Sequence, residues 1–310
     1  MLLFFLLAGC QQHTYQPIPN QQSFVATLNI QEKSITFVDE NGEKMTTWDL
    51  GKLYTGGWIQ ADDQTLVLYG PEHHTVDFYS LAKGELEKSW KLGNGITNGM
   101  YIEEISRFVF TDKDENAIRF IDQEGKETDS IEVGKYPMTM ATAGENLYVS
   151  TYQDTKLYII DFTRFQIEGV IDIPSDSTGL LVRSEDHEIW VGGHGKGTKP
   201  RKNVAIYSLS DYTLKEKLSA PLMPINFLEN ELGIYVLSHG TNKLYHFNDQ
   251  KEHIQSKDIG ANPFALDFFA GKIVVACFDS NHLYLVNPHN LTIEKQIKVG
   301  KGPFTILKRE

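Results

Sequence analysis

The chain has 310 residues, enough for two average domains or for one large repeat architecture. Hydrophobic residues make up 41% and charged residues 23%, an ordinary globular composition that excludes a disordered, collagen-like or coiled-coil chain. Acidic residues outnumber basic ones by 41 to 29, and the formal net charge of −12 disfavours nucleic acid as a partner because phosphates would find no net attraction.

The first ten residues have the pattern of a targeting signal. An apolar run over residues 1–7 is followed by Ala8, Gly9 and Cys10, and this pattern resembles the lipobox of bacterial lipoproteins. The resemblance implies a signal peptide over residues 1–10, a lipidated Cys10, and a protein anchored to the cell membrane on its extracytoplasmic side. Two acyl chains make such an anchor stable. The alternative is a buried apolar N-terminal strand with a coincidental cysteine.

Two further features concern this end of the chain. No Lys or Arg precedes the apolar run, so we expect residues 1–10 to be the end of a longer signal. Residues 11–22 have no formal charge and two prolines, which predicts a polar tether ahead of a folded domain over residues 23–310.

The rest of the chain contains a repeated sequence pattern. An alternating strand followed by Gly or Pro recurs every 39–47 residues, at positions 51, 93, 134, 174, 221, 260 and 300. Within each unit we predict four short strands with apolar residues at every second position. Four strands in about 40 residues is typical of a β-propeller blade, so the seven marks predict seven blades.

The two ends complement each other. The chain starts with three predicted strands, over residues 23–29, 34–39 and 44–50, and finishes with one, over residues 303–308. We therefore predict an all-β, seven-bladed propeller closed by N- and C-terminal strands that share one blade, which removes the open edges that a broken ring would expose. The units with Leu-Tyr-Ile-Ile-Asp at 157–161 and Leu-Tyr-Leu-Val-Asn at 283–287 resemble YVTN-type propeller repeats.

Candidate site residues come from the turn between the second and third strands. Aligned on the valine of each second strand, the third following position holds Leu28, Gly70, Asp112, Tyr152, His194, His239 and Phe278. His194 and His239 fall in consecutive blades, so we expect their imidazoles to approach each other near the channel mouth, with Asp112 in the same ring of turns. Two histidines and a carboxylate suit a transition metal or acid–base catalysis. The spacing of these residues does not indicate which metal, if any, they bind. The alternative to a site is that both histidines are solvated turn residues.

The longest turn, over residues 192–203, holds four basic residues and four glycines. It predicts a loop that meets an anionic ligand through Lys196, Lys199 and Arg201, with a flexible solvated insertion as the alternative. A column of small residues predicts an open axial channel, or else close packing of the inner strands: Gly57, Gly99, Thr139, Gly179, Asn226, Ala265 and Thr305. Aromatic residues near the same face, Tyr152 among them, suit sugars or peptides.

No nucleophile elbow, paired-carboxylate motif or haem-attachment motif is present in the sequence, and we expect no cofactor. Cys277 lies in an apolar strand and is predicted to be a buried, inert thiol. These features favour a lipid-anchored binding or scaffold protein that holds a peptide, glycan or partner protein at the cell envelope, rather than an enzyme. The alternative is a propeller enzyme of lactonase or lyase type with its site at the channel mouth.

Overall fold

The computed structural model describes residues 14–310 and forms seven four-stranded antiparallel sheets with one additional two-stranded hairpin. The innermost strands of successive sheets contact each other around a ring, and the last contacts the first. The predicted seven-bladed β-propeller is therefore confirmed. The predicted signal peptide with Cys10, and residues 11–13, lie outside the described residues.

Each blade is an antiparallel meander from the axis to the rim. The innermost strands are β4 (Gly56–Ile59), β8 (Ile96–Ile102), β12 (Pro137–Ala143), β16 (Ser177–Arg183), β22 (Pro224–Asn230), β26 (Pro263–Phe269) and β30 (Pro303–Arg309). The second strands are β1 (Phe24–Asn29), β5 (Thr65–Tyr69), β9 (Arg107–Asp112), β13 (Asn146–Thr151), β17 (Glu188–Gly193), β23 (Gly233–Ser238) and β27 (Lys272–Cys277).

The outer half of each blade follows the same order. The third strands are β2 (Ser34–Asp39), β6 (Thr75–Ser80), β10 (Ala117–Ile121), β14 (Lys156–Asp161), β20 (Asn203–Ser208), β24 (Lys243–Phe247) and β28 (His282–Val286). The outermost strands are β3 (Lys44–Asp49), β7 (Glu85–Lys91), β11 (Glu127–Glu132), β15 (Gln166–Asp172), β21 (Leu214–Ser219), β25 (His253–Asp258) and β29 (Ile293–Lys298). The extra hairpin is β18 (Gly195–Lys196) with β19 (Lys199–Pro200), and a 3-10 turn spans Glu103–Ile105.

Burial explains the hydrophobic pattern of the repeats. The second strands are buried almost throughout because each lies between two neighbouring blades, and β1, β17 and β23 are buried at every residue. The outermost strands are mostly exposed and carry many charged side chains, which protect an otherwise open sheet edge from pairing with another chain. Cys277 is fully buried at the end of β27, as predicted, and burial raises the pKa of its thiol to about 12.

The ring is closed in one blade by strands from both ends of the chain. Strand β1 pairs with β2 on one side and with β30 on the other, with Leu28 opposite Thr305. We call the sheet of β30, β1, β2 and β3 the closing blade, and number the others 1 to 6 in chain order from β4. The closure by shared terminal strands is as predicted.

Side chains on the inner strands join one blade to the next. The Thr305 hydroxyl donates to the Thr55 carbonyl at 2.7 Å, which links the closing blade to blade 1. The Thr139 hydroxyl donates to the Thr178 carbonyl at 3.0 Å and links blade 3 to blade 4. These bonds fix the inner strands around the axis and thereby the shape of the channel.

The two faces of the propeller ring carry different turns of the blades. In each blade, the turn between the second and third strands and the connection from the outermost strand to the next blade lie on one face, which we call the mouth face. The remaining two turns lie on the opposite face, which we call the base face. This assignment follows from the alternating strand directions in each meander.

The N-terminal segment differs from the predicted tether. Ile18 is 1% exposed, and the backbone N–H groups of Tyr15 and Ile18 donate to the carbonyls of Gly84 and Leu81. The Tyr15 ring stacks on Trp48 with centroids 5.1 Å apart. From Tyr15 onward the segment therefore packs on the propeller, because its few apolar side chains bury against the closing blade and blade 1.

Arg309 fixes this segment further. Its guanidinium is 3% exposed and donates to the carbonyls of Pro19 at 2.6 Å, Gln22 at 2.8 Å and Asp63 at 2.7 Å. Gly84, Leu81 and Asp63 lie in base-face turns, so residues 15–22 run along the base side of the ring. Across residues 14–310, no helix has the length and apolar character needed to cross a membrane.

Candidate functional site

The mouth face has a repeated backbone arrangement. In six blades, the N–H of the residue that follows the second strand donates to the carbonyl of the residue that precedes the inner strand, and the pairs are Ile30–Gly302, Lys113–Gly95, Tyr152–Tyr136, His194–Asp176, His239–Met223 and Phe278–Asn262. The acceptor residue has a left-handed backbone in every case. Each of these six blades therefore fixes two residues at an equivalent place on the mouth face.

Bulky residues occupy this left-handed position in three consecutive blades. Tyr136 has φ +60°, Asp176 has φ +57° and Met223 has φ +58°. Residues other than glycine and asparagine are uncommon in the left-handed conformation. For tyrosine and methionine it has a steric cost, which is tolerated most often at functional sites. Blades 3 to 5 thus form a chemically distinct arc of the mouth, which the sequence analysis did not identify.

Asp112 does not belong to this arc. Its blade carries Lys113 at the equivalent position, and the side chain of Asp112, one residue earlier, is completely buried inside blade 2. Arg119 Nη1 lies 2.8 Å from Asp112 Oδ2, and the backbone N–H groups of Asp114 and Glu115 donate to its Oδ1. Adjacent positions of a strand point to opposite faces, so the shift of one residue moves this carboxylate from the mouth into the blade.

His194 and His239 do come together. Their ring centroids are 5.1 Å apart with an angle of 78° between the planes, although they belong to different blades. The Nδ1 atom of each ring is withdrawn from solvent and has no hydrogen-bond partner among residues 14–310. Burying a polar atom without a partner costs about 1–3 kcal/mol, so both rings offer an unsatisfied nitrogen.

The surroundings keep both imidazoles neutral. Burial lowers the pKa of His194, and the neighbouring His239 and Arg201 lower it further against the opposing charge of Asp176. Burial also lowers the pKa of His239, against a hydrogen bond to the Pro263 carbonyl and the charge of Asp279. A neutral imidazole can accept a hydrogen bond, act as a base or ligate a metal.

Arg201 lies at the base of the long turn and points inward. It is 7% exposed, and its Nη2 donates to the Ser175 carbonyl at 2.7 Å and to Ser177 Oγ at 3.1 Å. Its Nη1 is buried and has no partner among the described side chains and backbone groups. Arg201 therefore offers the mouth an unused donor next to His194.

The long turn is an ordered hairpin with a basic tip. Strands β18 and β19 pair Gly195 with Pro200 and Lys196 with Lys199. The side chains of Lys196 and Lys199 are exposed, and neither takes part in an ion pair within the described chain. The structure therefore separates the predicted basic residues into one buried guanidinium and two solvent-facing ammonium groups on the mouth face.

Aromatic rings flank the two histidines. Tyr152 packs against Tyr136 with centroids 5.9 Å apart, and burial and the nearby Asp176 raise the pKa of the Tyr152 hydroxyl. On the other side, the His239 ring contacts Phe264, whose ring stacks on Phe304 at 4.3 Å. Tyr152 thus lies within the arc of blades 3 to 5, directly after the end of the second strand of blade 3.

An axial cavity of about 300 Å³ opens beside His194. Its lining is a mixture of hydroxyl, amide and aromatic side chains from all seven blades, including Asn98, Thr139, Asn226, Phe264, Ala265 and Thr305. The predicted channel is therefore present. It is large enough for a small ligand or for one side chain of a larger one.

Some residues of the predicted small-residue column line the cavity, and others allow neighbouring strands to pack closely. Thr139, Asn226, Ala265 and Thr305 line the cavity, whereas Asn98 does so in blade 2 in place of the predicted Gly99. A Cβ added to Gly99 would lie 2.6 Å from the Phe110 ring, and one added to Gly179 would lie 2.8 Å from the Phe227 ring. These glycines allow neighbouring strands and blades to pack closely, which was the stated alternative.

No family model matches the sequence. No curated protein matches it.

Solved structures do match it. A functionally unknown protein from Desulfotomaculum acetoxidans is similar over 92% of this chain and 98% of that one, with a TM-score of 0.74 and 11% identity. Dihydro-heme d1 dehydrogenase NirN in complex with DHE is similar over 98% and 78%, with a TM-score of 0.66 and 8% identity. Apo AztD from Citrobacter koseri is similar over 93% and 97%, with a TM-score of 0.62 and 11% identity. At such low identity these likenesses show the propeller fold alone.

The mouth therefore combines acceptors, donors and aromatic rings. His194 and His239 supply neutral nitrogens, and Arg201 supplies a buried positive donor. No group of three His, Cys, Asp or Glu that could hold a metal ion occurs within residues 14–310. Asp176, which influences both His194 and Arg201, was missed because its left-handed position repeats in backbone geometry and varies in residue type.

Proposed function

We propose that this protein is a lipid-anchored, extracytoplasmic binding protein that uses the mouth face of its propeller to hold a ligand at the cell envelope, either a peptide, a glycan or a segment of a partner protein. The observation that carries the binding role is the set of three buried nitrogens at the mouth, on His194, His239 and Arg201, that lack a hydrogen-bond partner in the described chain. A ligand that met them would recover the cost of their burial.

The shape and chemistry of the mouth support this proposal. The cavity opens next to His194, and rings of tyrosine and phenylalanine flank the histidine pair. Aromatic rings with a few convergent polar groups are typical of ligand sites. The rigid ring places these groups on turns from three consecutive blades, which suits recognition of an extended ligand.

The position of the N-terminal segment supports an orientation. Residues 15–22 run along the base side, and the five Cα–Cα steps from Cys10 to Tyr15 span at most about 18 Å. A lipid on Cys10 would therefore hold the base face toward the membrane. The mouth face would then point away from the membrane, where a ligand has access.

The binding role is tested by site-specific photo-crosslinking of the full chain in a bacterial host. A photoreactive phenylalanine analogue at Tyr152 reports on the mouth face, and the same analogue at Glu124, an exposed base-face position, is the matched control. We expect adducts of defined mass from position 152 that decrease in the Arg201→Met background and are absent from position 124. Equal adducts from both positions, or none from 152, would contradict a mouth-face site.

Lipidation is tested separately. The full chain and its Cys10→Ala variant are expressed behind a complete lipoprotein signal and labelled with an alkyne fatty acid. We expect label and membrane association only with Cys10 present. Label without Cys10, or no label with it, would overturn the anchor and leave the mouth-face result unaffected.

A second candidate is the lactonase- or lyase-type enzyme. One observation favours it, namely that the His194 imidazole, whose pKa is lowered by burial, lines an open cavity where it could act as a general base. This candidate predicts turnover of a lactone or uronic acid ester that His194→Ala removes without altering the thermal midpoint. A panel of such substrates without turnover leaves the binding role as the function supported by the mouth.

A further inference from the structure

The histidine pair also indicates what the mouth binds, and this inference rests on the mouth as the binding site. We propose that His194 and His239 together bind one late first-row divalent transition-metal ion, such as Zn²⁺, Cu²⁺ or Ni²⁺, through their Nδ1 atoms, and leave its other coordination positions open toward the channel.

The ring separation fits one shared ion. A tetrahedral ion lies about 2.0–2.1 Å from each imidazole nitrogen, which places each ring centre about 3.2 Å from the ion and the two centres about 5 Å apart. The observed separation of 5.1 Å agrees with this geometry. The rings come from two blades whose backbones are fixed by the mouth-face hydrogen bonds to Asp176 and Met223, so rotation of the side chains alone would bring both Nδ1 atoms to a shared ion.

Neither Nδ1 atom has a hydrogen-bond partner in the described chain that a metal ion would have to displace, and both are buried. The His239 ring interacts with the Pro263 carbonyl, and because its Nδ1 has no partner we assign the ring proton to Nε2. A histidine that donates one ring proton to a backbone carbonyl presents the lone pair of its other nitrogen, as in metal sites.

The surrounding charges favour a cation. Asp176 faces His194 and Asp279 faces His239, and both carboxylates add negative potential at the rings. Among the described residues, His239 itself and Arg201 oppose this potential at His194; Nη2 of Arg201 donates to the Ser175 carbonyl. An anion in the same place would need protonated imidazoles, which burial disfavours.

The proposed ion would have coordination positions that the protein does not fill. With two protein nitrogens and no third His, Cys, Asp or Glu close enough in residues 14–310, water or a donor atom of a ligand must complete the coordination. The cavity next to His194 provides the space. An open, two-histidine ion would join the propeller to a carboxylate, imidazole or thiolate group of its ligand.

The test is calorimetric titration of the purified, chelator-stripped full chain at pH 7.5 with Zn²⁺, Cu²⁺ and Ni²⁺, with Mg²⁺ as the hard-ion comparison. We expect one transition-metal ion per chain and no binding of Mg²⁺. His194→Ala and His239→Ala should each weaken binding at least about tenfold. His74→Ala, which removes an exposed histidine from the same face, should leave binding unchanged.

A second measurement uses the unmodified protein and does not depend on folding of the variants. Imidazole ¹⁵N resonances of His194 and His239 should shift together on addition of Zn²⁺, with the larger change at Nδ1, while those of His74 stay in place. Absence of binding, or binding with unmoved resonances of the pair, would overturn the proposal. If no ion binds and the Tyr152 crosslink persists, the metal inference fails and the mouth-face binding role stands.

Discussion

Arg119 reaches from the third strand of blade 2 to Asp112 at the end of the second, and its Nη1 lies 2.8 Å from Asp112 Oδ2. The same guanidinium donates through Nε to Glu127 at 2.7 Å and through Nη1 to the Leu92 carbonyl at 2.7 Å. Asp112 has no exposed surface. This ion pair therefore joins three strands of blade 2 to the preceding connection, which is a structural role.

Asp112→Asn tests this role. The amide keeps the size of the carboxylate but leaves Arg119 without its buried counter-charge, so we expect a loss of about 3 kcal/mol in the free energy of unfolding. Chemical denaturation measures it, and Asp114→Asn, at an exposed carboxylate, should change stability by less than about 0.5 kcal/mol. A stable Asp112→Asn protein with a lost mouth-face crosslink would instead place Asp112 in the site.

Stability should depend on the histidine pair below neutral pH. The pKa values of His194 and His239 are lowered in the folded protein, while unfolded histidine titrates near 6.5. The unfolded chain therefore binds more protons as the pH falls below about 6.5, and stability declines by up to about 1.4 kcal/mol per pH unit for each ring. The stability contributed by the two neutral imidazoles is fully present above about pH 6.5.

The measurement is denaturant unfolding with chelator at several pH values between 7.5 and 5. The His194→Asn/His239→Asn double variant removes both groups, and its stability should fall less steeply with decreasing pH than that of the unmodified chain. The remaining charges near the pair, on Asp176, Arg201 and Asp279, stay in both proteins. Identical slopes would show that the pair titrates normally.

Arg309→Met should release the N-terminal segment. The change removes donors to the carbonyls of Pro19, Gln22 and Asp63 and the guanidinium that lies 4.7 Å from the centre of the Phe24 ring. We expect a loss of about 2–3 kcal/mol and faster hydrogen exchange at residues 15–22. Lys301→Met, at an exposed position, is the control, and unchanged exchange in Arg309→Met would contradict the clamp.

Met223→Asn should stabilise the protein. Met223 has φ +58°, and Asn262 holds the equivalent position in the next blade with φ +55°. Asparagine tolerates this backbone better than methionine, so we expect a gain of up to about 1 kcal/mol. Met223→Val, with its β-branched side chain, should lose stability, and thermal unfolding compares the two. A lower midpoint for Met223→Asn would mean that the methionine side chain makes contacts worth more than its backbone cost.

The repeat predicted the fold because propeller blades bury the same strand positions each time. The predicted strand over residues 34–39 coincides with β2 (Ser34–Asp39), and the predicted final strand differs from β30 only by including one residue fewer. The His194–His239 pair was predictable for the same reason: the second strands of blades 4 and 5 end two residues after the aligned valine.

The remaining features depend on details that apolar alternation does not encode. In blade 2 the second strand ends three residues after Val109, and both Val109 and Phe110 are fully buried, so alignment on the valine displaced Asp112 by one. Residues 15–22 look like a linker because few of their side chains are apolar, and much of their binding to the propeller uses backbone groups, among them the carbonyls of Pro19 and Gln22 that accept from Arg309 at the far end of the chain. The left-handed mouth residues share a conformation and no residue type.

The closing blade has a consequence for the order of events during synthesis. Strand β1 is made first among the strands, yet its inner neighbour β30 is made last. Until β30 arrives, β1 to β3 form a sheet with one unsatisfied edge, and the ring lacks the contact that fixes blade 6 against blade 1. The closing blade can therefore be completed only after β30 has been synthesised, and the inner edge of β1 stays open to pairing with another chain during that interval.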